Sequence, residues 1–350
     1  MTPLPATYQA MRFYQPRDLR LDTLPMPQPA AGELLLRIGS ALTCGTDLKC
    51  YRRGHPVLLS QLPSPFGHEF AGTVVAVGEG VTRFAVGDRV VAANSAPCGT
   101  CFYCQHHQPN LCDNLMLLNG AYADYLILPA PIVAVNTHRL PEHLPFELAA
   151  FTEPLAVAMR GVLGVGVQAG DHVALLGLGP IGQLMVAVAK QQGAHVTAFA
   201  RSPMKLAMAQ TWGQADAVVS MAEGLQPKAW AKQHSPQGKG FDVVIEAIGL
   251  PETWEAAVAM ARRGGKVHWF AGCAGGSTVT LSTQRLHYDE ITLYSLFHHT
   301  PAHVAMAFNA LASGAIDPTP LISQRMGLAH VPQALQAMER GEAFKVAITP

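Results

Sequence analysis

Charge is scarce in this chain, and what there is cancels. Asp, Glu, Lys and Arg make up 14% of 350 residues, with 24 acids against 24 bases. No basic excess is present to attract nucleic acid or an anionic membrane surface. Long apolar runs are missing too, since none approaches the ~18 residues of a membrane span. The first thirty residues have no apolar core of the secretory kind, because Arg12, Arg17, Asp18, Arg20 and Asp22 are scattered among prolines. There is no internal repeat and no low-complexity segment. These absences argue against nucleic-acid and membrane partners and lead us to expect a soluble, cytoplasmic protein.

Hydrophobic residues are abundant, at 49%, so a large core is easily filled. A single core rarely grows past ~250–300 residues, which predicts two domains. Residues 1–150 read as strand and loop. Strand-like runs at 33–38, 70–77, 86–91 and 122–128 are punctuated by glycine and proline, as in a small, partly closed β barrel. The texture changes near Glu153. Pro154 suits the first turn of a helix, and strands and helices then alternate from Val173 to Phe270. That alternation predicts an α/β domain with a doubly wound parallel sheet. Two more helices, near 302–312 and 331–340, and a strand at 346–348 close the chain.

Seven cysteines in such a compartment are not expected to pair as disulfides. Four of them, Cys98, Cys101, Cys104 and Cys112, share one short loop. Four thiolates at this spacing close a tetrahedral site with no open position, which reads as structural zinc. Four-cysteine iron–sulfur ligation is the competitor. A different donor set surrounds Phe66-Gly67-His68-Glu69-Phe70. An imidazole and a carboxylate there can combine with Cys44, in Thr43-Cys44-Gly45-Thr46, and with Glu153, in Thr152-Glu153-Pro154. Sulfur, nitrogen and one or two carboxylates leave room for water or substrate, as a catalytic zinc requires. The plain alternative is that His68 and Glu69 are a polar pair where a strand begins.

Gly177-Leu178-Gly179-Pro180-Ile181-Gly182 follows a buried strand and opens a helix. In that setting the first glycine makes the tight turn, the second admits a pyrophosphate, and the third lets helix pack on strand. About 20 positions further on, an NAD-binding domain places an acid that accepts the adenosine ribose hydroxyls. Here Ala200 stands in its place and Arg201-Ser202 follows, with Lys205 one helical turn later. No carboxylate repels a 2′-phosphate, and a guanidinium fork is at hand to bind one. NADP is the predicted cofactor. The alternative for Arg201 is an ordinary exposed loop arginine.

Taken together, these pieces resemble the zinc-dependent medium-chain alcohol dehydrogenases over essentially the whole chain. The carriers are Gly67-His68-Glu69 with Gly72, Gly78 and Val81, the Cys98–Cys112 loop, and Cys44-Gly45-Thr46-Asp47. Glu153-Pro154-Leu155 is similar to the polyol (sorbitol-type) and threonine dehydrogenase branch. The resemblance implies a GroES-like catalytic domain over residues 1–155, a Rossmann domain over 156–292, and a return to the catalytic domain over 293–350. It implies Cys44 and His68 as catalytic-zinc ligands, with Glu69 and Glu153 competing for the remaining place. Thr46 would start a proton relay, which many relatives continue with a histidine where this chain has Lys49. His298 stands where a sorbitol-type enzyme has an arginine reaching the polyol, and His299 follows it. The implied activity is hydride transfer between a secondary alcohol and NADP in a homodimer or homotetramer. A threonine-type enzyme and a silent NADPH-binding protein are the alternatives.

Overall fold

Two strands with hardly a polar face, Leu34–Leu42 and Glu69–Val77, organise the first part of the chain. In the computed structural model, which describes residues 3–221 and 225–350, contacts divide the chain into two units. One is the chain up to Ala156 together with His299–Pro350, and the other is Val157–His298.

The first unit is built on a seven-stranded sheet. Its strand order is Thr137–Arg139, Arg89–Ala92, Glu69–Val77, Leu34–Leu42, Lys345–Thr349 and Ile322–Gly327, and Tyr125–Leu128 also pairs with Leu34–Leu42. All pairs are antiparallel except the last two strands, which run parallel. The chain's end thus lies beside one of its first strands. Leu34, Leu36, Phe70, Val74, Val346 and Ile348 bury the inner face in one core. The helix Gly45–Arg53 leaves the end of Leu34–Leu42 after two residues. Among the described residues, no helix is long and apolar enough to cross a membrane.

The second unit is a six-stranded parallel sheet. Its order is Ala217–Ser220, His195–Ala200, His172–Leu176, Phe241–Glu246, Ala261–Trp269 and Thr292–Ser295. This is the doubly wound α/β arrangement, and its order reverses between His172–Leu176 and Phe241–Glu246. A crevice opens outside the strand ends at such a reversal. Residues 293–295, assigned from sequence to the returning tail, instead pair with Val267–Trp269 in the sixth strand. Their apolar and hydroxyl side chains suit an outer strand, and the chain rejoins the first unit only at His299.

His268, on the strand next to the outer one, is fully buried, with Phe270 and Tyr294 edge-on to its ring. Burial lowers its pKa to about 4, opposed by the Gly161 backbone and assisted by Arg160. The unfolded chain therefore binds a proton below pH ~6.5 that the folded chain refuses until about pH 4. Stability from neutral His268 is complete above the unfolded pKa and is lost as pH falls. The loss should reach about 2 kcal/mol between pH 7.5 and pH 5. Urea denaturation of wild type and His268→Leu at both pH values checks this. The variant should lack that share of the acid loss, and equal slopes would refute the assignment.

Candidate functional site

Strand register gathers the proposed ligands. Leu42 pairs with Glu69 on one side and with Ala347 on the other. Thr43-Cys44, His68-Glu69 and Lys345 therefore meet at one end of the sheet. The Cys44 sulfur, a His68 ring nitrogen and a Glu69 oxygen lie within 4.8 Å of one another.

Each side chain is held from outside the cluster. Cys44 is the N-cap of Gly45–Arg53. The Thr46 N–H donates to its sulfur at 3.5 Å, while the Cys44 N–H donates to Asp47 Oδ2 at 3.0 Å. This reciprocal arrangement is a capping box with cysteine in the serine position. The other Asp47 oxygen, Oδ1, lies 2.9 Å from His68 Nδ1. Nδ1 is thereby the protonated nitrogen, and the Nε2 lone pair is left for a metal. Burial disfavours protonated His68, but Asp47 and Cys44 outweigh it and lift its pKa well above the ordinary value, so a metal at Nε2 would take the place of a proton.

Glu69 is fully buried and divides its oxygens between two roles. Oε2 accepts from the buried Lys345 ammonium, which also donates to Thr43 O at 3.0 Å. Oε1 is buried with no hydrogen-bond partner among the described residues. An orphaned oxygen on a carboxylate grouped with a thiol and an imidazole fits a metal ligand, because leaving it unmet costs about 1–3 kcal/mol. Thiolate, imidazole and carboxylate suit Zn²⁺ with a fourth position open. Burial disfavours the Lys345 ammonium, but Glu69, Cys44 and Glu153 together raise its pKa and keep it charged.

Glu153 stands outside this set, with Oε1 3.9 Å from His299 Nε2. Burial pushes its carboxyl up to about 7, with His68 and Glu69 acting in opposite directions. It can hold or release a proton near neutrality. Thr46 sits in the first helical turn beside Cys44, half-buried, whereas Lys49 is exposed on the same helix. The His298 carbonyl accepts from Arg160 Nη1 at 2.7 Å, which ties that backbone to the second unit.

Cys98, Cys101, Cys104 and Cys112 also converge within 4.8 Å of one another. Cys101 and Cys112 sulfurs are 3.8 Å apart. A tetrahedron with Zn–S bonds of about 2.3 Å has edges of about 3.8 Å. The Cys98 N–H points at Cys112 sulfur at 3.2 Å, and the Cys101 N–H at Cys98 sulfur at 3.4 Å, as suits thiolates.

In the second unit the glycine turn lines a cavity of about 340 Å³. Gly177 has φ +98°, and a Cβ there would meet Ile248 and the Ala247 backbone within 2.9 Å. A Cβ on Gly182 would strike the Gly177 carbonyl, whereas Gly179 has nothing within 4 Å. The first glycine is thus the turn, the third the close contact, and the second the open face. Gly179 caps the helix Pro180–Gln191, with Pro180 and Ile181 in its first turn. Arg201, Ser202 and Lys205 line the same cavity, beside Ala200.

Asp47, Tyr122 and Lys345 complete the site, and the sequence marks them unequally. The cap spacing from Cys44 to Asp47 is a local signal for the first. A lone lysine heading the apolar strand Lys345-Val346-Ala347-Ile348 is a faint signal for the third. Nothing local marks Tyr122.

Residues 30–139 match the alcohol dehydrogenase GroES-like domain family, and residues 180–313 match the zinc-binding dehydrogenase family. The chain is 30% identical over 349 residues to the sorbitol dehydrogenase of Bacillus subtilis (strain 168), covering 98% of this chain and 96% of that one. It is 29% identical to an L-threonine 3-dehydrogenase of Aeromonas salmonicida (strain A449), covering 93% and 94%. Among solved structures, a Sinorhizobium meliloti 1021 protein bound to NADP superposes with a TM-score of 0.90 at 30% identity, covering 99% and 100%.

Proposed function

The chain belongs to the zinc-dependent medium-chain alcohol dehydrogenases, in their polyol and threonine dehydrogenase branch, and from this premise we propose that it oxidises a secondary alcohol of a polyol, sugar or sugar acid with NADP. The observation that carries the proposal is the convergence of Cys44, His68 and the unpartnered Oε1 of Glu69. Cys44, His68 and Glu69 hold a catalytic zinc, and Cys98, Cys101, Cys104 and Cys112 hold a structural one. Zinc, when bound, supplies Lewis-acid polarisation of the substrate oxygen, and NADP accepts the hydride. Thr46 would relay the hydroxyl proton, accepting it while passing its own on toward the cofactor ribose. Glu153, with a pKa of about 7, serves as a neighbouring proton-holding group, not as a zinc ligand.

Support for NADP comes from Ala200, Arg201, Ser202 and Lys205 around the glycine-turn cavity, and from the NADP-bound relative. A charge-assisted hydrogen bond contributes about 1.5–3 kcal/mol, so Arg201→Ala should raise KM for NADP roughly ten- to a hundred-fold. KM for NAD should hardly move. Ala200→Asp should shift preference toward NAD. Comparing kcat/KM for both cofactors decides the matter, and equal or better use of NAD by the wild type would contradict it.

A homodimer or homotetramer in the cytoplasm is part of this proposal. The outer strand Thr292–Ser295 and the exposed Phe297 offer an edge that a second copy would cover. The threonine-type alternative draws on the L-threonine 3-dehydrogenase relatives. A panel of polyols, sugars, sugar acids and threonine, with zinc-loaded protein and NADP or NAD, separates the two by reduced-nicotinamide absorbance. NADPH binding without turnover of any secondary alcohol would favour the non-catalytic alternative.

A further inference from the structure

Tyr122 is fully buried and touches both segments that carry the zinc ligands. Its N–H donates to Phe66 O at 3.1 Å, two residues before His68. Its ring packs on Phe66, with centroids 6.0 Å apart, and lies so close to Gly67 that a Cβ there would meet it at 2.7 Å. Gly67 itself has φ +89°. The ring is therefore clamped. Its hydroxyl reaches Asp47 Oδ2 at 2.5 Å and Leu42 O at 3.2 Å, just ahead of Thr43-Cys44. The shorter contact falls in the range of a charge-assisted O–H···O⁻ bond.

We propose that Tyr122 is a positioning residue for the catalytic metal, acting through Asp47 on His68. This rests on the assignment of Cys44, His68 and Glu69 as a zinc site. Asp47 Oδ2 receives two donors, the Cys44 N–H and the Tyr122 hydroxyl. Two donors from different directions fix the carboxylate plane. Oδ1 then stays on His68 Nδ1, which holds the ring with Nε2 toward the metal position. Without the hydroxyl, Oδ2 keeps the Cys44 N–H alone. The carboxylate gains torsional freedom and the imidazole loses a fixed orientation. Partners in the outer shell of a metal site typically contribute 10–100-fold in metal affinity or activity. Tyr122 is one layer further out than Asp47, so its effect belongs at about 10-fold.

Tyr122→Phe tests this, because it keeps the ring and removes only the hydroxyl. Zinc-loaded wild type and variant are challenged with a chelator, and zinc release per chain is followed in time. The phase missing from Cys44→Ser identifies the catalytic zinc, and the four-cysteine zinc serves as internal reference. In Tyr122→Phe the catalytic phase should run about ten-fold faster while the reference phase stays put. Asp47→Asn should show a larger acceleration, and adding Tyr122→Phe to it should change little more, since both act along one path. Unchanged release in Tyr122→Phe overturns the proposal. So does equal acceleration of both phases, which marks general loosening, and so does full additivity in the double variant. A wild type lacking any Cys44-dependent zinc would instead overturn the zinc assignment itself.

Discussion

Cys44→Ser should end turnover while leaving the fold in place. Lewis-acid polarisation contributes several kcal/mol to the barrier, and each 1.36 kcal/mol is tenfold, so kcat should fall on the order of 10³-fold or more. Serine preserves the cap: its hydroxyl accepts from the backbone at the start of Gly45–Arg53 at least as well as the Cys44 sulfur does. The circular dichroism spectrum and denaturation midpoint should therefore stay near wild type, and zinc content should fall from two per chain to one. Cys101→Ser makes the opposite pattern, losing zinc and stability from the lobe while part of the turnover survives. Metal analysis finding iron, or one zinc lost in both variants, would disprove the two-site assignment.

Lys345→Met should be the most damaging substitution away from the metal ligands. It strips the ammonium from the buried Glu69 Oε2 and leaves Thr43 O without that donor. Removing one partner of a buried ion pair typically costs about 3–5 kcal/mol. Burial already pushes the Glu69 carboxyl up, with Lys345 pulling it back. Without the ammonium, Glu69 takes up a proton at higher pH and stops serving as a ligand. Catalytic zinc content should then fall more steeply than in wild type as pH drops, and recover as pH rises. Urea denaturation together with zinc analysis between pH 6 and pH 9 checks both parts. A loss below about 1 kcal/mol with normal zinc would show that the pair matters little.

What could be read from the amino acids alone was local. The glycine turn between the strand ending at Leu176 and the helix starting at Pro180, the Ala200-Arg201-Ser202 sequence, and the four cysteines from Cys98 to Cys112 each act within a short stretch. Backbone geometry and ligand spacing then follow from residue type. Alternation of strands and helices from Val173 onward likewise specified a parallel sheet, because periodicity is a property of neighbours in sequence. The tertiary structure decided the rest. Lys345 reaches Glu69 across 276 positions and Thr43 across 302, and only the pairing of Ala347 with Leu42 brings them together. The same register put Glu69, with one oxygen on Lys345 and one unpartnered, into a group with Cys44 and His68, while Glu153 lies near His299. It also gave Asp47 and Tyr122 their place behind His68, and it made Thr292–Ser295 a sixth strand. Which side chains face one another across a sheet depends on the alignment of distant strands. Burial and main-chain hydrogen bonding set that alignment for the whole sheet at once, so no single stretch of sequence carries it.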